Sequence, residues 1–203
     1  MTGPEFTAYL QRHRKLLIVF FVLIIAGVLA FFAYDKYQRH QIERAGVLYS
    51  EMSDSLASGN DATARASAET LLHDYHSTPY AAMARFYLAR LDTDANKTAA
   101  AEAQLEKLVP NNDLPTGLQP LAQASLARLY IEQGKNQQAL QLLQKPDKAF
   151  AAVDWELRGD AEAKMGQGAK ARADYQKALA ALPATDPYAA FLQMKMANLG
   201  VAG

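Results

Sequence analysis

Residues 16–33, "LLIVFFVLIIAGVLAFFA", hold 18 consecutive apolar positions, and Tyr34 extends the run. At about 1.5 Å per residue a helix of this length covers about 27 Å, close to the hydrocarbon thickness of a bilayer. A helix on a soluble core would show a polar face at every third or fourth position, whereas this run is apolar on all sides. A secretory leader has a shorter apolar region and a small-x-small cleavage site. Val28-x-Ala30 is a poor version of such a site, and apolar sequence continues past it through Phe31 and Phe32. The reading is an uncleaved transmembrane helix over residues 16–34, with a short segment 1–15 before it and a helical domain 35–203 after it.

Orientation rests on the flanking charges. Arg12, Arg14 and Lys15 precede the run; Lys36, Arg39 and Arg44 follow it. The numbers tie, but the first cluster is tighter and sits on the shorter segment, which weighs more in setting topology. This places residues 1–15 in the cytoplasm and the long domain on the other side, with Tyr34 and Tyr37 at the level of an interfacial aromatic belt.

The composition excludes several function classes. Lys plus Arg equals Asp plus Glu, 21 against 21. A nucleic-acid binder needs a basic excess to displace counterions from phosphates, so none is expected as a partner. There is no cysteine, which removes disulfides, thiol catalysis, cysteine-ligated zinc and a lipid-modified N-terminal cysteine. Alanine is abundant, and no sustained run alternates β-branched residues with polar ones, so the expected class is all-α.

From Gln41 onward, helix-like stretches alternate with breaks at Gly59-Asn60-Asp61, Asp94-Ala95-Asn96, Gly134-Lys135-Asn136 and Gly166-Gln167-Gly168. Measured at Gly59, Asn96, Gly134 and Gly166, the spacings are 37, 38 and 32 residues. Periods of this size predict stacked helix pairs, because one pair cannot bury its apolar face alone. Four pairs are expected, with an amphipathic segment from Pro187 to Leu199 as a cap. The connection "VPNNDLPTGLQP" (109–120) reads as irregular.

The last pair is the best preserved. Trp155, Gly159, Gly166, Ala171, Tyr175, Ala178 and Pro183 stand at spacings that resemble the tetratricopeptide repeat pattern. Small residues fit where helix backbones cross, Trp155 and Tyr175 should fill gaps between helices, Gly166 turns the chain and Pro183 stops it. The pair departs from the pattern at Glu162, where an aromatic is usual, and at Arg158, where a leucine is usual. Leu126, Ala127, Tyr130 and Ala139 keep the frame in the third pair, and Leu88, Ala89, Ala101 and Leu105 in the second. The first pair is the most degenerate.

Motifs for chemistry are weak. His73-x-x-His76 offers two imidazoles on one helical face without the third and fourth ligand a metal needs. Asp92-x-Asp94-x-Asn96 opens like a calcium loop, but Lys97 stands where glycine is required and Ala103 where the closing glutamate belongs. Arg158-Gly159-Asp160 spells an adhesion tripeptide inside a predicted helix. No hydrolase elbow, phosphate loop, zincin or dinucleotide fingerprint occurs. The expectation is a protein that is not an enzyme, without cofactor, metal or small-molecule substrate.

What the tetratricopeptide resemblance implies is a concave, partner-binding face. Its groove positions fall on Met83, Phe86 and Arg90 in the second pair, on Leu121, Arg128 and Ile131 in the third, and on Glu156 and Asp160 in the fourth. Equally open is that Met83, Phe86 and Leu121 pack against the capping helix.

The layout of one N-terminal anchor followed by degenerate helix pairs, with "LRGDAEAKMGQGAKARADYQKAL" (157–179) and the closing "LQMKMANL" (192–199), resembles the YfgM family, an ancillary subunit of the bacterial SecYEG translocon. The likeness stops before the anchor, where family members carry an acidic segment and this chain has only Glu5. The resemblance implies an inner-membrane, single-pass protein with a periplasmic domain. Its implied partners are the translocon and a membrane-anchored periplasmic chaperone of the PpiD type, with lipid contacted through the anchor, and its implied role is to assist secreted chains. The alternative is a scaffold of an envelope complex that binds one fixed partner.

Overall fold

The computed structural model describes residues 3–110, 114 and 116–199. The side chains of Arg12 and Arg14, and Asn111, Asn112, Asp113 and Pro115 of the irregular connection, lie outside the described residues.

The apolar run does not form an element of its own. Helix α1 (Gly3–Ala57) continues unbroken for 55 residues. Its large side chains from Ile18 to Phe32 are exposed, and the stretch is long and apolar enough to cross a membrane. Past Tyr34 the helix is held by its own side chains. Gln38 Nε2 donates to Tyr34 Oη at 2.7 Å, Arg39 Nε to Asp35 at 2.9 Å and Gln41 Nε2 to Tyr37 Oη at 2.8 Å. Such i,i+4 pairs support a helix that lacks tertiary neighbours. Packing then begins: Gln41 buries its Oε1, and Ala45 and Met52 are fully buried against α2 and α3. The apolar run and the first repeat helix are one rod with no linker between them.

The remaining helices are α2 (Asp61–Asp74), α3 (Pro79–Asp94), α4 (Thr98–Glu106), α5 (Leu118–Glu132), α6 (Asn136–Leu142), α7 (Ala151–Lys164), α8 (Gly168–Ala181) and α9 (Tyr188–Asn198). Among the described residues there is no strand. The architecture is all-α, with four helix pairs (α1/α2, α3/α4, α5/α6, α7/α8) stacked in order and capped by α9.

One turn chemistry makes all four pairs. Gly59, Asn96, Gly134 and Gly166 adopt left-handed φ of 73°, 58°, 75° and 73°. The next N–H reaches back five residues: Asn60 to the Ser55 carbonyl at 2.8 Å, Lys97 to Asp92 at 2.7 Å, Lys135 to Tyr130 at 2.8 Å and Gln167 to Glu162 at 2.9 Å. This closes the preceding helix in a Schellman motif, and the same residue is the N-cap of the following helix. Five residues beyond each turn sits an alanine with no exposed surface: Ala64, Ala101, Ala139 and Ala171. A small residue there lets the second helix lie close to the first.

Gly159 shows how tight the last pair is. A Cβ on it would sit 2.6 Å from the Tyr175 ring, so only glycine lets α7 and α8 meet. Two expectations need correction. Trp155 is half-buried rather than buried between repeats: it packs against the core of Ala171, Tyr175, Ala178 and Leu192, while the charged side chains of Lys177 and Arg158 lie over its ring at 4.1 and 5.2 Å. The irregular connection ends at Gly117, not Pro120: α5 begins at Leu118, and Pro120 is tolerated in the first turn, where an N–H has no intrahelical acceptor.

Candidate functional site

The first helices of the pairs run parallel, since the start of α3 lies beside α1: a Cβ on Gly46 would meet the Tyr80 hydroxyl at 3.2 Å. Their common face is best read by counting back from each turn. Six residues before it stand Ser53, Arg90, Arg128 and Asp160. Ten residues before it stand Tyr49, Phe86, Ala124 and Glu156.

Three of the residues predicted from the sequence meet in one cavity of about 250 Å³ between α3 and α5. Phe86, Leu105 and Leu129 give it an apolar wall, and Arg90 and Arg128 stand at its sides with Asp94 and Glu132. Phe86 is half-buried and leans on the central core, while both arginines are exposed. Arg90 is loosely paired with Asp94 at 3.7 Å across one helical turn, a contact worth little in water. Arg128 forms no ion pair among the described residues. An apolar wall between planar cationic forks suits a segment that presents one apolar side chain beside carbonyl or carboxylate groups. Met83 is half-buried on α3 and Leu121 partly exposed on α5; neither lines this cavity.

Ile131 does not belong to the groove. It is only 5% exposed and shares a core with Leu157 and Ala161 of α7. Three residues before its turn, α5 faces the next pair, so a side chain there is covered by the stack itself.

Glu156 and Asp160 are likewise not available. α9 crosses this part of the face and takes both. Lys195 Nζ lies 2.7 Å from Glu156 Oε1 and 2.7 Å from both Asp160 carboxylate oxygens, and Tyr188 Oη donates to Glu156 at 2.9 Å. Tyr175 Oη also donates to Asp160 at 2.7 Å. Burial, followed by the Glu156 hydrogen bond, pushes the Tyr188 hydroxyl up to about 12. The capping helix thus covers the acids of the fourth pair, not the apolar residues of the second and third.

Sequence reasoning missed Tyr49, which holds in the first pair the place of Phe86 and meets Tyr80 in a tilted ring contact with centroids 5.4 Å apart. Burial, then the neighbouring Tyr87 and Tyr80, raises its pKa. Counting ten back from Gly59 finds it, although the rest of that pair is degenerate.

The weak motifs resolve into structural roles. Asp92 is buried and pairs with Arg65 of α2 at 2.7 Å, joining the first and second pairs. His73 is exposed beside Asp74, and no group of three metal-ligating side chains gathers among the described residues. The Gly159 of the adhesion-like tripeptide serves the contact with Tyr175.

Comparison with curated proteins finds no match. A family model described as a tetratricopeptide repeat-like domain matches residues 7–201, so it takes in the long apolar helix, every pair and the cap. The four repeated turns, the fully buried alanine after each and the match over nearly the whole chain lead to one conclusion: the chain belongs to the tetratricopeptide repeat-like domain family.

Proposed function

We propose that this chain is a membrane-anchored protein-interaction module that binds partner segments in the face between its second and third helix pairs. The cavity shared by Phe86, Arg90 and Arg128 carries the reading, because it is a concave stretch of the common face that α9 leaves uncovered. A repeat fold of this kind typically works by binding rather than by catalysis. The anchor contributes through concentration: a weak binder fixed beside the membrane meets a membrane-bound partner as an almost intramolecular event. α1 strengthens this effect, since a continuous helix leaves the domain little freedom to wander.

The resemblance to the YfgM family supports the finer assignment. In it residues 1–15 are cytoplasmic, 16–34 span the inner membrane and 35–203 face the periplasm. The domain assists secreted chains at SecYEG together with a PpiD-type chaperone. Purification of the full chain in mild detergent tests this reading. Recovery of SecYEG and the chaperone in constant ratio to it is the expected result. Recovery of one folded envelope protein in their place would favour the scaffold alternative.

A further inference from the structure

A second cavity, of about 410 Å³, lies between the α2–α3 connection and the end of α4. Among the described residues its polar lining is His76, Ser77, Thr78, Arg85 and Lys107, with no carboxylate. Arg85 is half-buried, and its guanidinium donates to the neutral Gln104 side chain at 2.9 Å. Neither Arg85 nor Lys107 forms an ion pair among the described residues. Among the described residues, the nearest acids along the chain are engaged elsewhere: Asp74 with His73 at 2.5 Å, and Glu106 as acceptor from Tyr130 Oη at 3.1 Å. Burial lowers the Arg85 pKa, and no carboxylate among the described residues offsets that desolvation. A partly buried cation without a counter-charge costs stability that a bound anion would return.

The position of the cavity narrows the choice of anion. α1 leads away from the apolar run, and the start of α3 lies beside its Gly46, so α1 and α3 run in the same direction. α2 and α4 return. The α2–α3 connection and the end of α4 therefore lie at the anchor end of the stack, and the four glycine or asparagine turns lie at the far end. Packing on α1 begins at Gln41, seven residues or about 10 Å beyond Tyr34. The headgroup layer of a bilayer is about 5–7 Å deep on each side. Gly46 is twelve residues, about 18 Å, beyond Tyr34, so the cavity lies at the membrane-facing end of the stack but above the phosphate layer, and a tilt of α1 would bring it to the headgroups.

We propose that this cavity binds a phosphate group, and that in the intact protein the phosphate belongs to a lipid headgroup at the membrane surface. The lipid source rests on the membrane-anchor reading; the phosphate chemistry does not. Arg85 supplies a planar fork for two phosphate oxygens, and Lys107 and His76 supply further donors. The Thr78 hydroxyl is committed to the Tyr75 carbonyl at 2.8 Å, which leaves Ser77 as the available hydroxyl donor.

The test uses the full chain in neutral detergent micelles and follows thermal unfolding. Three probes are titrated: a phosphatidylglycerol, a glucosyl diacylglycerol of the same chain length that lacks phosphate, and inorganic phosphate. The expected result is a saturable rise in Tm with phosphatidylglycerol and none with the glucosyl lipid. His76→Gln with Lys107→Gln, both exposed in the fold, should weaken that response at least tenfold and leave the lipid-free Tm in place. Arg85→Gln should abolish the response and raise the lipid-free Tm, an outcome that a merely structural arginine would not give. An equal response to inorganic phosphate at equal concentration would keep the site and overturn the lipid source. A full response in the double variant would overturn the site, as would one that appears only after Asp113→Asn, which would make the cavity a seat for the chain's own carboxylate. If alkaline extraction releases the chain from membranes while the phosphate response persists, the anchor reading fails and the phosphate site stands.

Discussion

The second and third helix pairs and the fourth share one turn chemistry and one register, yet they present opposite surfaces. Six and ten residues before their turns, the second and third pairs show Phe86, Arg90 and Arg128 around a cavity. At the same positions the fourth pair shows Glu156 and Asp160, both held by Lys195 of α9. The difference lies in the choice of residues at two positions per repeat, not in the backbone. Opposite charge to the cap closes the face at one end of the stack; an apolar wall between unclaimed arginines leaves it available in the middle.

Breaking the closure should have the largest effect. In Lys195→Met, Glu156 is left buried without its cation and Asp160 beside it. The expected loss is about 3 kcal/mol, the range for removing one partner from a largely buried pair. Urea unfolding measures it, and a loss below 1 kcal/mol would mean that α9 is held by Leu192 and its apolar neighbours alone. Gly159→Ala comes next, at about 2 kcal/mol, because the new Cβ falls within 2.6 Å of the Tyr175 ring and the ring must move. Gly168→Ala is its control: nothing lies within 4 Å of that position, and a neutral or slightly stabilising result is expected there.

Trp155→Ala should cost about 1–2 kcal/mol, below the 3–5 kcal/mol of a fully buried aromatic, since its ring is half covered by the Lys177 and Arg158 side chains. A value in the higher range would mean that its contact with the α8–α9 core acts as full burial.

The smallest effect concerns the departure from the repeat pattern at Glu162. Its carboxyl is buried, with Oε2 unpartnered, and its pKa is raised first by that burial and then by Asp174. A carboxyl with a raised folded pKa contributes stability that is fully present below its unfolded value and lost as pH rises through the folded value. Glu162→Gln should therefore raise Tm by about 2 °C at neutral pH and flatten the loss of stability between weakly acidic and neutral pH. A lower Tm at neutral pH would show that Arg158 and Lys177 outweigh the burial.

Much of this arrangement was legible in the residues. Gly59, Asn96, Gly134 and Gly166 announced the turns, because a left-handed closing residue favours glycine or asparagine and little else. The all-α class followed from abundant alanine and the absence of strand alternation, and the cap from the amphipathic segment 187–199. Other features depended on contacts far apart in the chain. The capture of Glu156 by Lys195 spans 39 residues, and Ile131 looks like a groove residue until α7 is placed against it. Trp155 holds the repeat position and packs on the α8–α9 core, but Lys177 and Arg158 rather than apolar side chains close its outer face. Met83 and Leu121 satisfy the spacing, yet the cavity closes around Phe86 instead. Spacing fixes which face a side chain is on; what covers that face is decided by elements a repeat pattern does not describe.

The central claim is that the middle of the common face, and not the capped end, binds the partner. Phe86 is a poor single probe, because it also leans on the core and its truncation would lower stability on its own. Arg90 and Arg128 are exposed and carry no buried partner, so Arg90→Ala with Arg128→Ala separates binding from folding. The decisive measurement is the affinity of the full chain in detergent for purified SecYEG and for the PpiD-type chaperone, taken with the Tm of the same samples. The account predicts a loss of about thirtyfold toward at least one of them, the size of a typical hot-spot truncation, with Tm within about 2 °C of the parent. Undiminished affinity for both at an unchanged Tm would contradict it and move the contact to the anchor helix.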